Sequence, residues 1–274
     1  MIYNNYEIKL IKNSSILTSK TLGEIAKVIK PGINILKLDN LAYEYILDNK
    51  GKPAFLGLYN FPKTICVSIN NEVVHGIPKN YIIKDGDIIS IDCGVYMNNY
   101  YGEHAYTFGI GRMSKEKKKL LKFTLKSLYI GIKNCKINKK IGNIGYNINK
   151  YISNKKGLFI VKELMGHGIG KNVHEFPNIP NYGNKNEGIL IKNGMVLSIE
   201  PIVNQGSEKV YLSNDKWTYL TNNNLLSAHF EHNIAIIKNK TKILSTFKYI
   251  NKNLKNNINA YYTTINKEKK KKDY

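Results

Sequence analysis

The feature that most constrains the fold of this chain is a small set of carboxylates inside apolar, strand-like runs. Asp92 lies in Ile-Ile-Ser-Ile-Asp-Cys-Gly-Val, Glu200 in Val-Leu-Ser-Ile-Glu-Pro-Ile-Val, and Glu231 in Ala-His-Phe-Glu-His-Asn-Ile-Ala. A buried carboxylate is costly unless it is paired, hydrogen-bonded or bound to a metal ion. The fold must therefore either gather these acids at one polar site or leave each at a strand end.

A fourth acid and a histidine extend this set. Glu103 lies across a predicted hairpin from Asp92, and His167 lies in Gly-His-Gly-Ile-Gly, a turn in which the backbone can approach closely. Taken singly, each residue also fits a strand-end carboxylate or a core histidine with satisfied hydrogen bonds. Taken together, four carboxylates and one imidazole predict a metal site. This oxygen-rich set suits Mn, Fe or Co at least as well as Zn, and it has enough carboxylates to bridge two cations.

The order of elements predicts an α+β fold. Apolar residues at intervals of three and four predict helices over 8–29, 37–48, 114–135 and 140–151. Strand-like runs follow each helix pair. Among them, 88–97 and 100–110 form a hairpin around Asn98-Asn99, and 195–204 is predicted as one strand. We expect one catalytic domain over 1–250, built from two similar halves. The Asn/Lys-rich segment 251–274 predicts a basic, frayed tail.

Composition limits which cellular compartment and which binding partners we expect. The net charge is +22, but Arg occurs once, at Arg112, whereas surfaces that read bases or clamp phosphates favour Arg. The charge fits either A/T-biased codon usage or selected binding to a polyanion. Three cysteines without CxxC spacing indicate a reducing compartment. No apolar run reaches the length of about 18 residues that spans a bilayer, so we expect a cytoplasmic protein without membrane contact.

Six motifs carry a family resemblance. They are Val-His-Gly-Ile-Pro at 74–78, Asp-Gly-Asp-Ile-Ile-Ser-Ile-Asp at 85–92, Gly-His-Gly-Ile-Gly at 166–170, His-Glu-Phe-Pro at 174–177, Ser-Ile-Glu-Pro at 198–201 and Glu-His at 231–232. In order and spacing they resemble type I methionine aminopeptidase, and the similarity covers about 7–245. The resemblance implies the pita-bread fold, with two divalent metal ions between two pseudo-symmetric halves. It also implies removal of the initiator methionine from nascent proteins whose second residue is small.

The resemblance assigns roles to the metal ligands. Asp92 would chelate one ion, Glu103 and Glu231 would bridge both ions, and His167 and Glu200 would complete the second. A metal-bound hydroxide would attack the scissile carbonyl, while Glu200 would act as general base and then as general acid.

The resemblance also assigns the substrate-binding residues. His75 and His174 would be catalytic, because neutral imidazoles beside the metals hold the scissile amide and stabilise the tetrahedral oxyanion and the leaving nitrogen. An apolar slot for the methionine side chain would be lined by Phe55, Leu58, Phe61, Cys66 and Trp217. Core packing is the alternative explanation for these five residues.

Glu103 departs from the family pattern, which has aspartate at this position. The extra methylene leaves three outcomes open: a shifted backbone that keeps both metals, tight binding of one metal only, or an impaired enzyme. We expect retained activity with weaker affinity for the second ion, because the other ligand positions are intact. His104, beside Glu103, should point to the opposite face of its strand.

Two alternative functions remain at this level. One is a proline-directed aminopeptidase on the same fold, and the other is a non-catalytic scaffold that binds ribosomal RNA through its basic surface. For the enzyme, the expected partners are the nascent polypeptide and, through non-specific charge attraction, the ribosome. A monomer is the default expectation.

Overall fold

The computed structural model describes residues 1–264 of the 274-residue chain. Within this range the α-helices are α1 (Asn5–Val28), α2 (Ile35–Asp48), α3 (Lys115–Asn134), α4 (Gly142–Ser153) and α5 (Lys248–Leu254). The four helices predicted from periodicity are therefore confirmed, with ends that differ by a few residues. None of the helices in this range has the length and apolar composition needed to cross a bilayer.

The strands follow each helix pair, as the sequence predicts. They are β1 (Lys52–Pro53), β2 (Ile65–Ile69), β3 (Glu72–Val74), β4 (Ile88–Met97), β5 (Tyr100–Ile110), β6 (Leu158–Ile160), β7 (Met165–Gly168), β8 (Glu175–Pro180), β9 (Val196–Ile199), β10 (Ile202–Gln205), β11 (Val210–Leu212), β12 (Tyr219–Thr221), β13 (Ser227–His229), β14 (His232–Ile237), β15 (Lys240–Ile243) and β16 (Ala260–Tyr261).

Two five-stranded sheets carry most of the candidate site. The first has the order β1-β4-β5-β16, with β2 also paired to β4, and the second has the order β15-β14-β9-β7-β8. In the first sheet the predicted hairpin is confirmed, because β4 and β5 pair along their whole length. Asn98 and Asn99 both have positive φ, at 54° and 65°, as a two-residue hairpin turn requires.

One contiguous apolar cluster joins the two helix pairs to both sheets. Leu22 of α1, Leu38 of α2 and Ile91 of β4 belong to it, as do Leu121 of α3 and Leu197 of β9. Because the core draws on both halves of the described chain, the polar faces of the strands are fixed relative to one another by packing.

Two local expectations are corrected by the structure in the second half of the chain. His167 lies in strand β7 rather than in a turn, because β7 pairs with β8 and β9. The strand predicted over 195–204 is interrupted at Glu200-Pro201, which separates β9 from β10. Proline lacks the N–H that a continuous ladder needs, so the interruption is expected at this position.

The predicted frayed tail is wrong for 251–264. α5 continues to Leu254, which is buried, and β16 pairs with β5. Asn257 donates from Nδ2 to the carbonyl oxygens of Ala26 and Ile29, which ties this segment to the end of α1. The part of the predicted tail over 265–274 lies outside the described residues.

Candidate metal centre

The hairpin contributes two acids to one face of the first sheet. Asp92 pairs with Ala105 and Glu103 pairs with Gly94, so the two carboxylates are diagonal neighbours rather than directly opposite. Glu103 is 4% exposed, and its backbone N–H donates to Asn233 Oδ1 at 2.8 Å. The pairing of β4 with β5 therefore fixes the backbone positions from which both side chains extend.

The second sheet contributes His167, Glu200 and Glu231. His167 lies in β7, Glu200 directly follows β9, and Glu231 directly precedes β14. The hydroxyl of Ser198 donates to the Glu231 carboxylate. A Cβ on Gly166 would lie 2.3 Å from the Ser198 carbonyl oxygen, so only glycine allows β7 to lie this close to β9.

A chain of contacts links the residues from the two sheets. His167 Nε2 lies 3.1 Å from Glu103 Oε1 and 3.3 Å from Glu200 Oε1. On the other side of the same carboxylate, Glu200 Oε2 lies 3.4 Å from His229 Nε2. Glu103, His167 and His174 also offer ligand atoms that all lie within 4.8 Å of one another. The predicted ligands from the two sheets therefore converge on one cluster.

Burial and mutual repulsion shift the pKa values of the carboxylic acids in this cluster. Burial raises the pKa of Asp92 to about 7, and burial together with the neighbouring carboxylates raises the pKa of both Glu103 and Glu231 well above the usual range. Burial also opposes ionisation of Glu200, but the adjacent imidazoles of His167 and His229 outweigh it and lower its pKa to about 2. The cluster holds more potential negative charge than its own side chains neutralise.

The cluster fits a divalent metal centre. Three buried atoms in it, Asp92 Oδ1, Glu103 Oε1 and His229 Nε2, have no hydrogen-bond partner among the residues that the structure describes. Buried polar atoms without partners are rare in folded proteins and require an explanation such as an ion. Carboxylate oxygens and imidazole nitrogens are ligands of Mn, Fe, Co and Zn, so a cation would satisfy both the orphaned atoms and the excess charge.

An apolar cleft with a volume of about 360 Å³ opens from the cluster. Its lining includes the five predicted side-chain pocket residues, Phe55, Leu58, Phe61, Cys66 and Trp217. The Phe61 and Trp217 rings meet edge to face, with centroids 5.1 Å apart. Burial raises the pKa of the Cys66 thiol, so this residue is an apolar wall rather than a nucleophile.

Two histidines and a tyrosine stand along the same cleft. His75, with a φ of 57°, follows β3, and His174 is exposed near the entrance. Desolvation lowers the pKa of His75 and lowers that of His174 to about 4, so both imidazoles are neutral at pH 7. Tyr59 stacks parallel to His174 with ring centroids 6.2 Å apart.

His229 was not among the predicted site residues. It stands two positions before Glu231 in Ala-His-Phe-Glu. Side chains two residues apart in an extended segment point to the same face, and this spacing is the signal that could have identified it. Tyr59 also lines the cleft and was not assigned to it, although it lies between the predicted pocket residues Leu58 and Phe61. His104, in contrast, points away from the cluster as predicted, and it stacks on His232 and Phe247.

Comparisons with known proteins agree with this geometry. A profile described as "Metallopeptidase family M24" matches residues 9–238. A methionine aminopeptidase of Borreliella burgdorferi is 45% identical over 240 residues, which cover 87% of this chain and 95% of that protein. One from Clostridium perfringens is 40% identical over 248 residues, which cover 90% of this chain and 99% of that protein.

Solved structures support the fold. The crystal structure of methionine aminopeptidase from Rickettsia prowazekii superposes with a TM-score of 0.88 at 34% identity, covering 90% of this chain and 99% of that one. Prolidase from Pyrococcus furiosus has a TM-score of 0.72 at 20% identity, and the match covers 89% of this chain and 65% of that one, which shows a shared fold alone. The predicted pita-bread fold is confirmed by these matches.

Proposed function

Because this chain belongs to metallopeptidase family M24, we propose that its cleft removes the initiator methionine from nascent polypeptides whose second residue is small. The observation that carries the proposal is the convergence of four carboxylates and His167 at one end of an apolar cleft. An apolar side chain can enter the cleft while its peptide carbonyl reaches the polar cluster. The sequence relatives named above carry the same activity in their names.

In this proposal two divalent ions are held by five ligands. Asp92, Glu103, His167, Glu200 and Glu231 would hold these ions. Bound ions supply charge that polarises the scissile carbonyl and lowers the pKa of the attacking water. Mn, Fe and Co suit this set at least as well as Zn, because carboxylate oxygens dominate it.

The protein's own residues orient the substrate and move the proton. Glu200, whose low pKa keeps it ionised at neutral pH, accepts the proton of the attacking water and returns it to the leaving amine. His75 and His174, both neutral at pH 7, donate hydrogen bonds to the scissile amide and to the developing oxyanion. The apolar wall around Phe61 and Trp217 excludes water from the methionine side chain and fixes its position.

The proposed setting is the cytoplasm, where nascent chains emerge from ribosomes. The net charge of +22 favours non-specific association with ribosomal RNA, which weakens as salt rises. Co-sedimentation with ribosomes should therefore decline between low and physiological salt, and salt-independent co-sedimentation would contradict this part of the proposal. We expect a monomer, which light scattering of the purified protein measures directly.

The experiment that tests the function is peptide hydrolysis by metal-free protein reconstituted with Mn²⁺, Co²⁺ or Fe²⁺. We expect release of methionine from Met-Ala-Ser, little release from Met-Leu-Ser, and none in the presence of a chelator. Glu200→Gln keeps the shape of the side chain but removes the base, so it should reduce turnover by at least about 100-fold.

Two results would favour the alternative functions. Release of the first residue only from peptides with proline at the second position would indicate a proline-directed peptidase. Absence of both bound metal and methionine release, with retained binding to ribosomes, would indicate a scaffold.

A further inference from the structure

His229 is a buried histidine that faces the candidate metal centre, although it was not predicted to be a ligand. It is the last residue of β13, it is 2% exposed, and it lines the cleft beside Glu200 and Glu231. Its Nε2 has no hydrogen-bond partner among the described residues. The nearest acidic oxygen, Glu200 Oε2, is 3.4 Å away, which is too long for a well-formed hydrogen bond.

The backbone of His229 is fixed by the hairpin that carries the acids. Thr107 Oγ1 accepts a hydrogen bond from the His229 N–H at 2.9 Å and donates to the His229 carbonyl oxygen at 2.6 Å. Because the Thr107 proton is used in this way, the hydroxyl of Ser90, 2.8 Å away, must donate to Thr107. Ser90 and Thr107 are directly paired on β4 and β5, two residues along each strand from the pair that contains Asp92.

His167 and His229 flank Glu200 in equivalent ways. His167 Nε2 lies 3.3 Å from Glu200 Oε1, and His229 Nε2 lies 3.4 Å from Glu200 Oε2. His229 and Asp92 line the same cleft, and Asp92 Oδ1 is likewise unpartnered within the described chain. A buried imidazole nitrogen without a partner, beside a carboxylate of a candidate metal centre, has the environment of a ligand.

We propose that His229 binds a metal ion of the cluster through Nε2. This inference rests on the proposed metal-dependent function and extends its ligand set to four carboxylates and two imidazoles. A second imidazole favours Co, Fe and Zn over Mn, because nitrogen ligands suit the former and carboxylates suit the latter. The side chain therefore contributes to metal preference as well as to affinity.

The test observes the imidazole nitrogens of His229 directly by NMR. The whole protein is labelled with ¹⁵N in its six histidines and titrated with Zn²⁺, a diamagnetic probe, while imidazole resonances are recorded by NMR. We expect the resonance that His229→Gln removes to be one of those that shift to the metal-bound position. His232→Gln is the matched control, because His232 is a buried histidine of the same segment whose ring contacts Ser245 and Tyr129 instead of the cleft.

Calorimetry gives a second readout. His229→Gln should weaken Co²⁺ binding by at least about tenfold and Mn²⁺ binding by less than about threefold, whereas His232→Gln should change neither by more than about threefold. Crystals of the unmodified protein grown with Co²⁺ provide a measurement that does not depend on a folded variant. A cobalt-to-Nε2 distance near the ~2.0–2.1 Å typical of imidazole ligands would support the proposal.

The outcomes separate this inference from the proposed function. If the unmodified protein binds divalent metal but the His229 resonance does not shift, His229 only positions Glu200 and the inference is wrong. If the unmodified protein binds no divalent metal at all, the proposed function itself fails.

Discussion

Shortening Glu103 by one methylene should strengthen binding of the second metal ion. In the structure the Glu103 backbone cannot retreat from the cleft, because α1 packs directly behind it. A Cβ on Gly102 would lie 2.3 Å from the Ser15 backbone nitrogen, and Thr18 Oγ1 donates to the Gly102 carbonyl oxygen at 3.0 Å. The extra methylene must therefore extend into the cluster, and the shifted-backbone outcome is disfavoured.

The magnitude follows from bond lengths. A C–C bond of about 1.5 Å moves the carboxylate back by that amount at most, so the contact of 3.1 Å with His167 Nε2 lengthens to no more than roughly 4.6 Å. That change frees His167 Nε2 and relieves carboxylate crowding in the cluster. Because a misplacement of about 1 Å can cost roughly 100-fold in rate, the gain in turnover for Glu103→Asp has an upper limit of about 100-fold. We expect about tenfold tighter binding of the second ion, or about 1.4 kcal/mol.

The assay is calorimetric titration of Mn²⁺ and Co²⁺ into metal-free protein, followed by hydrolysis of Met-Ala-Ser at each metal occupancy. Glu103→Gln is the matched control, since it keeps the length of the side chain and removes the charge, and it should lose the second ion. Equal second-ion affinity and equal turnover for the unmodified protein and the Glu103→Asp variant would refute the reasoning.

Three further expectations follow from the same geometry. Chelation should lower the thermal midpoint, because ions at about 100 times their Kd stabilise by about 2.7 kcal/mol, or roughly 5–10 °C for a protein of this size; an unchanged midpoint in scanning calorimetry would exclude a bound ion. Trp217→Ala removes the partner of Phe61 and should raise KM for Met-Ala-Ser about 10- to 100-fold with a smaller change in kcat, measured by steady-state kinetics. Tyr59 has a φ of 50°, so Tyr59→Gly should cost less than about 1 kcal/mol of stability in urea unfolding. Because Tyr59→Gly opens the entrance beside His174, it should also raise kcat/KM for Met-Val-Ser relative to Met-Ala-Ser a few-fold. An unchanged ratio would show that Tyr59 does not contribute to specificity.

Local patterns made the hairpin and the helices predictable. The alternation along 88–97 and 100–110, with two Asn residues between them, fixes pairing, register and turn without reference to the rest of the chain. The same logic identified Asp92, since an acid in an apolar run needs a partner wherever the run is buried.

The elements that were missed depend on distant partners. β7 contains two glycines and is a strand because it pairs with β8 and with Leu197 of β9. Likewise, the composition of 251–264 resembles a disordered tail, but Ile250 and Leu254 are buried and Asn257 satisfies carbonyl groups at the end of α1. His229 was missed because its role depends on its contact with Glu200, a residue that follows another strand.

A chain of contacts runs from Glu103 through His167 and Glu200 to His229. Glu103, which departs from the family pattern, and His229, the proposed additional ligand, lie at its opposite ends. Glu103 comes from the first five-stranded sheet, and His229 from β13, which belongs to a different sheet. Glu103 contacts His167, whereas His229 contacts Glu200. The two residues therefore act on different members of the central pair: the length of Glu103 bears on His167, and His229 bears on Glu200. The strand pairings fix these registers, and a slip of one residue would turn these side chains out of the cleft. Within this rigid frame, we expect the side chains of Glu103 and His229 to set the metal preference of the chain.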